Sequence, residues 1–307
     1  MRALYFDCSA ELKALYDTIP GISDILPFLD IHIGDPDPVD LPVLLAGYTG
    51  VLNGHTKMSA ELLEVLPDLK VIVFLGTGVA SYVDLDAAAT CGIAVCGVAG
   101  YGNRTIAEHT LALILSGVRR VVQLDREVRS GTWRPDGGFE LEGKTLGVIG
   151  LGGVGCTMAQ LGAALGMKVI AWNRSGVSGE VDCEAVEIDD LMRRSDVVTL
   201  HIDLVPETEK IIDRRRLELL QPHAVLVNAA RGALVDEVAL ADLLAQGRIG
   251  HAALDVFGDE PLPADNQFCE LDNVTLTPHA AWASPEAAER LLRMGIEKLR
   301  DGLEEPK

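Results

Sequence analysis

The chain has 307 residues, of which 48% are hydrophobic and 23% charged, a globular composition that excludes wholesale disorder and fibrous repeats. Its 46 acidic residues outweigh 26 basic ones, so the net charge at pH 7 is −20, which disfavours a nucleic-acid backbone or an anionic membrane surface as partner. At roughly 100–200 residues per domain the length points to two domains.

No run of about 18 apolar residues occurs, so no membrane-spanning helix is expected. The opening MRALYFDCSAELK has one early arginine, no sustained apolar core and acids at Asp7 and Glu11, so no export signal is expected either. The six cysteines, Cys8, Cys91, Cys96, Cys156, Cys183 and Cys269, are scattered, with no CxxC pair and no zinc spacing. Reduced thiols, a cytoplasmic setting and no metal centre follow as expectations.

In chain order, short apolar runs alternate with helical patterns. Strands are expected at residues 3–6, 43–46, 71–75 and 93–97, with helices at 59–66 and 83–91 and a Pro-rich loop at 35–42. Residues 105–129 then read as one long helix with Thr105 and Glu108 as a capping box and Gly131 as its stop. The alternation resumes with strands at 145–149, 169–172, 197–201, 224–228, 251–255 and 273–277. Helices are expected at 154–165, 188–194, 213–220 and 237–246, and a last helix spans 284–303 with Ser284 as N-cap and Pro285 at its first position. Alternating strands and helices imply α/β lobes built on parallel sheets.

KTLGVIGLGGVG at residues 144–155 places Gly150, Gly152 and Gly155 in a G-x-G-x-x-G directly after a strand and before a helix. That context marks a dinucleotide-binding turn: one glycine for the tight bend, one for close approach of the pyrophosphate, one for packing of the helix on the sheet. The amides through Gly153 and Val154 then face the phosphates at a helix N-terminus. After the next strand comes Asn173-Arg174-Ser175, with no acid for a ribose 2′-hydroxyl and an arginine suited to a 2′-phosphate. NADP(H) is therefore the preferred cofactor, with NAD(H) as the alternative.

Three late segments, VLVNAARGALVD (225–236), ALDVFGDEPLP (253–263) and TLTPHAAW (275–282), each put polar residues just after an apolar strand, where open α/β sheets bind ligands. Arg231, Glu260 and His279 are expected to converge there. Singly, each has a plain structural explanation.

Together with GTGVASYVDL (76–85), NRTIAEHTLALIL (103–115), SGTW (130–133) and the glycine loop, these segments resemble the D-isomer-specific 2-hydroxyacid dehydrogenases, nearest to the glyoxylate/hydroxypyruvate reductases. The resemblance implies reduction of a small 2-keto acid to the D-2-hydroxy acid. His279 would be the general acid, Glu260 its hydrogen-bond partner and Arg231 the holder of the substrate carboxylate. It further implies that Asp255 binds the nicotinamide carboxamide and that His201 and Ala229 lie along the cofactor. The amides of Leu75, Gly76 and Thr77 would form a second carboxylate clamp, with Tyr101 and Trp282 near the substrate.

The implied architecture is two doubly wound parallel-sheet lobes: a Rossmann cofactor domain, residues 99–281, inserted into a flavodoxin-like substrate domain, residues 1–98 and 282–307. A homodimer through the 105–129 region is implied as well. Where the family commonly has Pro-Leu-Thr after the histidine, this chain has Asp203-Leu204-Val205, and an acid there opposes a 2′-phosphate. Two alternatives stand beside the reductase: an NAD-linked dehydrogenase of lactate or phosphoglycerate, and a non-catalytic dinucleotide-sensing protein like the corepressors of this fold. The first 100 residues hold only Arg2, Lys13, Lys57 and Lys70 as cations, which argues against a phosphorylated substrate.

Overall fold

A computed structural model describes residues 1–176 and 181–304. The chain divides into a unit of Met1–Gly102 with Ala283–Lys307 and a unit of Asn103–Trp282, against expected boundaries of 98/99 and 281/282. Both are α/β with all-parallel sheets.

The first unit holds β1 (Ala3–Cys8), β2 (Leu29–Ile33), β3 (Gly50–Asn53), β4 (Val71–Phe74) and β5 (Ala94–Gly97) in the order β2-β1-β3-β4-β5. This is the flavodoxin-like order, in which the chain reverses direction across the sheet between β1 and β3. Every residue of β1, β3 and β4 is buried, as strands covered by helices on both faces require. Of residues 43–46, expected as a strand, Val43 and Leu44 belong to a short helix at Leu41–Leu44 with Pro42 in its first turn, and 45–46 lie in the turn that follows. The strands β2 and β3 escape a reading of apolar runs, because LDIHI is an alternating edge and GVLN begins on glycine and ends on asparagine. The C-terminal helix Pro285–Glu304 completes this unit, burying Ala288, Leu291, Leu292, Ile296 and Leu299 at helical spacing. A Cβ on Gly295 would lie 2.4 Å from Leu75 and one on Gly50 2.8 Å from Leu299, so helix and sheet meet where side chains are missing.

The second unit holds β6 (Thr145–Ile149), β7 (Lys168–Trp172), β8 (Glu184–Ala185), β9 (Val197–Leu200), β10 (Val225–Asn228), β11 (His251–Leu254) and β12 (Val274–Leu276), in the order β12-β11-β10-β9-β6-β7-β8. Its switch point lies between β6 and β9, at the glycine loop. β8 is two exposed residues at an edge, too short to leave a hydrophobic signature.

The expected long helix is two helices, Asn103–Arg119 and Val121–Arg129, broken at Arg120 with φ +55°. Returning chain forces the break. A Cβ on Gly138 would overlap the Val118 carbonyl, and the Phe139 N–H donates to that carbonyl at 3.2 Å. Arg120 is tied to Asp136 on the same returning segment. Thr105 lies inside the first turn, and Glu108 pairs with Arg104 at 2.5 Å, so the expected capping box does not start this helix. Among the described residues no helix is long and apolar enough to cross a membrane.

His251 on β11 is 6% exposed and shares a 2.9 Å hydrogen bond with Thr275. Burial, helped by the nearby Arg120 charge, pushes its pKa from 6.5 down to about 4. Between those values the unfolded chain binds the proton and the folded one does not, so stability falls as the pH falls through this window. The loss from this one group is on the order of 3 kcal/mol. Urea unfolding at a series of pH values should show that decline, and His251→Gln should flatten it; an unchanged slope would exclude His251 as its source.

Candidate active site

The glycine loop is compressed on three sides and open on the fourth. Gly150 has φ +97°, and a Cβ there would sit 2.3 Å from the His201 carbonyl oxygen. On Gly155 it would meet the Gly150 oxygen at 1.9 Å, and on Gly153 the Asn103 side chain at 2.1 Å. Gly152 meets nothing within 4 Å and N-caps the Gly153–Ala164 helix without a side-chain hydrogen bond. The first-turn amides, Val154 among them, thus face open space at the positive end of a twelve-residue helix. A dinucleotide's pyrophosphate fits that arrangement.

At the end of β7, the Asn173 amide is fully committed. Its Oδ1 accepts the Leu151 N–H at 3.2 Å, and its Nδ2 donates to Ser175 Oγ and to the Gly176 carbonyl, both at 2.9 Å. Asn173 and Ser175 therefore hold the glycine loop against the β7 turn. Arg174 beside them is exposed and makes no ion pair among the described residues. It borders a cavity of about 720 Å³ with Trp172, Asn173, Glu184, Glu187 and Arg194, where Arg194 grips Glu184 in two bonds of 2.8 and 2.6 Å. Asp203 is exposed on the loop after β9. His201, at the head of that loop, has a buried Nε2 with no hydrogen-bond partner among the described residues, and burial pushes its pKa down to about 4. The ring is neutral at pH 7. Ala229 is half-buried directly after β10.

Arg231, Glu260 and His279 come together beyond the carboxyl ends of β10, β11 and β12. The turn after β10 is built by Asn228, whose side chain accepts the Ala230 N–H at 3.0 Å and donates to the Arg231 carbonyl at 2.9 Å. A Cβ on Gly232 would lie 2.0 Å from the Phe257 carbonyl carbon and 2.4 Å from the Gly258 nitrogen, so the two loops touch backbone to backbone. The loop after β11 is held by Gly258 N–H donating to Glu237 at 2.9 Å and Phe257 N–H donating to Glu260 Oε1 at 2.9 Å. Glu260 Oε2 stands 2.7 Å from His279 Nδ1, with both side chains about one-third exposed. Burial pushes the Glu260 pKa up, but the His279 hydrogen bond, the Phe257 amide and the His279 and Arg231 charges outweigh it, leaving the carboxyl below its ordinary value.

Asp255 is fully buried. Its Oδ1 accepts from Thr277 Oγ1 at 2.5 Å and Ala280 N–H at 2.9 Å, its Oδ2 accepts from Ala281 N–H at 2.9 Å, and its carbonyl accepts the His279 N–H at 2.7 Å. Burial raises its pKa, yet His109, Thr277 and the two amides bring it below the ordinary value. The expected contact with a nicotinamide carboxamide meets a carboxylate with no exposed surface and both oxygens engaged. His109, on the Asn103–Arg119 helix, was not singled out from the sequence. Its only signal there is a polar residue in the apolar run of NRTIAEHTLALIL.

In the first unit, the Leu75 N–H donates to the Asn53 carbonyl at 2.7 Å and the Gly76 N–H to the Phe74 carbonyl at 2.9 Å. Of the three amides expected as a clamp, only that of Thr77 lacks an internal acceptor among the described residues. The half-buried Tyr101 offers its carbonyl to Arg290 at 2.8 Å. Trp282, in the second unit, is half-buried three residues after His279.

Because Gly232 meets backbone and Gly152 meets nothing, the two should respond differently to a methyl group. Gly232→Ala is expected to cost about 1–3 kcal/mol in thermal or urea unfolding, and Gly152→Ala to stay within about 0.5 kcal/mol. Equal effects would contradict the backbone contact.

The sequence profile for the D-isomer specific 2-hydroxyacid dehydrogenase NAD binding domain matches residues 111–281. The chain is 38% identical over 264 residues to the glycerate dehydrogenase of Methylorubrum extorquens, covering 83% of this chain and 82% of that protein. Against the glyoxylate reductase of Aeropyrum pernix the identity is 38% over 255 residues, 79% of this chain and 76% of the relative. The D-3-phosphoglycerate dehydrogenase of Archaeoglobus fulgidus is 39% identical over 242 residues, 77% of this chain but 46% of the relative, so the chain spans about half the length of the phosphoglycerate dehydrogenases it matches. Among solved structures, an acyclic imino acid reductase in complex with NADPH and D-Arg aligns with TM-score 0.88 and 31% identity, covering 99% of this chain and 97% of the other. D-lactate dehydrogenase of Aquifex aeolicus, complexed with NAD and lactic acid, aligns with TM-score 0.85 and 29% identity over 98% and 95%. The chain belongs to the D-isomer specific 2-hydroxyacid dehydrogenase family.

Proposed function

We propose that this protein reduces a small 2-keto acid of the glyoxylate or hydroxypyruvate class to the D-2-hydroxy acid, with NADP(H) preferred over NAD(H). The observation that carries the reading is the 2.7 Å Glu260–His279 pair, with the Arg231 charge acting on the same carboxylate. Bound at the glycine loop, the nicotinamide cofactor supplies the hydride in reduction and accepts it in oxidation.

The chain's own residues do the rest. His279 uses Nδ1 on Glu260, which leaves Nε2 to hand a proton to the carbonyl oxygen or to take one back. Glu260, held ionised, orients the ring. Arg231 presents a planar set of donors to the substrate carboxylate. From the resemblance, the Thr77 amide and its neighbours Leu75 and Gly76, together with Tyr101 and Trp282, are assigned to the substrate, and His201 and Ala229 to the cofactor.

Three of the four cations of residues 1–100 are engaged within the chain, which speaks against a phosphorylated substrate. Arg2 bonds Asp30 and Tyr48, Lys13 pairs with Asp17, and Lys70 caps the Pro67 carbonyl. An amide nest at Gly54, His55 and Thr56 already holds the buried Asp7 carboxylate, at 2.8–3.0 Å. Arg174, exposed and unpaired among the described residues, supports a 2′-phosphate. Asp203 favours the second reading, an NAD-linked dehydrogenase of a lactate-type acid. The apolar Val121, Val128 and Trp133 are 54, 53 and 87% exposed, and we assign them to the interface of a homodimer. All six cysteines are free thiols, which suits a cytoplasmic setting.

Steady-state assays of glyoxylate, hydroxypyruvate, pyruvate and phosphohydroxypyruvate with both cofactors test the reading. His279→Ala should cut kcat by about 10²–10⁴, and Arg174→Asp should raise the KM for NADPH roughly tenfold or more while sparing NADH. No turnover across the panel would sink the enzyme and leave the dinucleotide sensor; equal effects on both cofactors would remove Arg174 from the 2′-phosphate. Sedimentation should show a dimer that Trp133→Glu dissociates, and a wild-type monomer would rule the interface out.

A further inference from the structure

His279 sits at φ +53°, a left-handed backbone conformation that a non-glycine residue keeps only when its surroundings hold it there. The holder is Asp255. Three successive amides, of His279, Ala280 and Ala281, converge on the carbonyl and the two carboxylate oxygens of this one buried residue. The aim of the His279 ring therefore depends on how the Asp255 carboxylate is oriented.

That orientation is fixed from outside the loop. Thr277 Oγ1 donates to Asp255 Oδ1 at 2.5 Å, and His109 Nε2 stands 3.1 Å from Thr277 Oγ1 and 3.4 Å from Asp255 Oδ1. His109 comes from the Asn103–Arg119 helix, which packs against β10, β11 and β12. Its ring is a strut from a rigid helix to the strand-end loop. We propose that His109 is a positioning residue for His279, acting through Thr277 and Asp255.

The proposal rests on His279 being the proton carrier, so its test separates the two. Full-length His109→Leu and His109→Gln are compared with wild type and His279→Ala. Loss of the strut lets the loop relax by a fraction of an ångström, and His109→Leu should lower kcat about ten- to a hundredfold. Titration of nicotinamide fluorescence should give an NADPH Kd within about twofold of wild type, since the glycine loop is untouched. His109→Gln, which keeps an N–H donor, should recover most of the rate.

Hydrogen exchange reads the brace without any turnover. The Ala280 and Ala281 amides should exchange at least about tenfold faster in His109→Leu and near the wild-type rate in His109→Gln. Unchanged exchange in His109→Leu would overturn the proposal, as would wild-type kcat, or a joint fall of kcat, NADPH binding and Tm that glutamine does not rescue. Retained turnover in His279→Ala with accelerated exchange in His109→Leu would instead refute the proton-carrier assignment and leave the brace standing.

Discussion

Everything at the second unit's site depends on a close approach between loops that leave neighbouring strands. In a parallel sheet the strand ends lie about 4.8 Å apart, and side chains reach across only if the following turns lean together. Gly232 permits this after β10, because the Phe257–Gly258 backbone occupies the space a Cβ would need. Asp255 enforces it after β11, because its buried carboxylate has to be satisfied and the donors that meet it, the Thr277 hydroxyl and two amides, follow β12. Arg231, Glu260 and His279 are brought together as a consequence of these two constraints.

The acidic composition acquires a local meaning. A chain of net charge −20 that binds a dinucleotide and a keto acid must do so with short-range devices. The second unit supplies helix amides that no side chain caps, and Arg231 and Arg174 are the cations proposed to join them. The first unit shows the opposite arrangement, an amide nest filled from within by Asp7. Arginines paired elsewhere, such as Arg194 with Glu184 and Arg215 and Arg216 with Asp189, are already neutralised. Arg231 and Arg174 form no ion pair among the described residues, and they stand where the anions are assigned.

Much of this was legible in the residues. Strands β4 to β7 and β9 to β12 read as apolar runs, and G-x-G-x-x-G announced its own turn, because backbone geometry at Gly150 and Gly155 admits no other residue. Less legible were elements whose identity depends on their neighbours. Leu41–Leu44 carries a strand-like composition but takes a helix started by proline, and the alternating edge strand β2 has few buried positions to mark it. Arg120 breaks a continuous helical pattern because a segment almost twenty residues later crosses the helix end.

The sequence by itself determined the family and the two parallel α/β sheets, and it singled out the residues proposed for acid–base and anion-binding work. These are carried by local spacing and by several ordered motifs read together. Only the tertiary structure decided that Asp255 is sealed from solvent, that His109 reaches it, that Asn173 is spent on the glycine loop and that two of the three Leu75–Thr77 amides already have acceptors. Each of these is a question of which donor meets which acceptor across long stretches of chain, and hydrogen-bond satisfaction in a packed interior is a property of the folded whole.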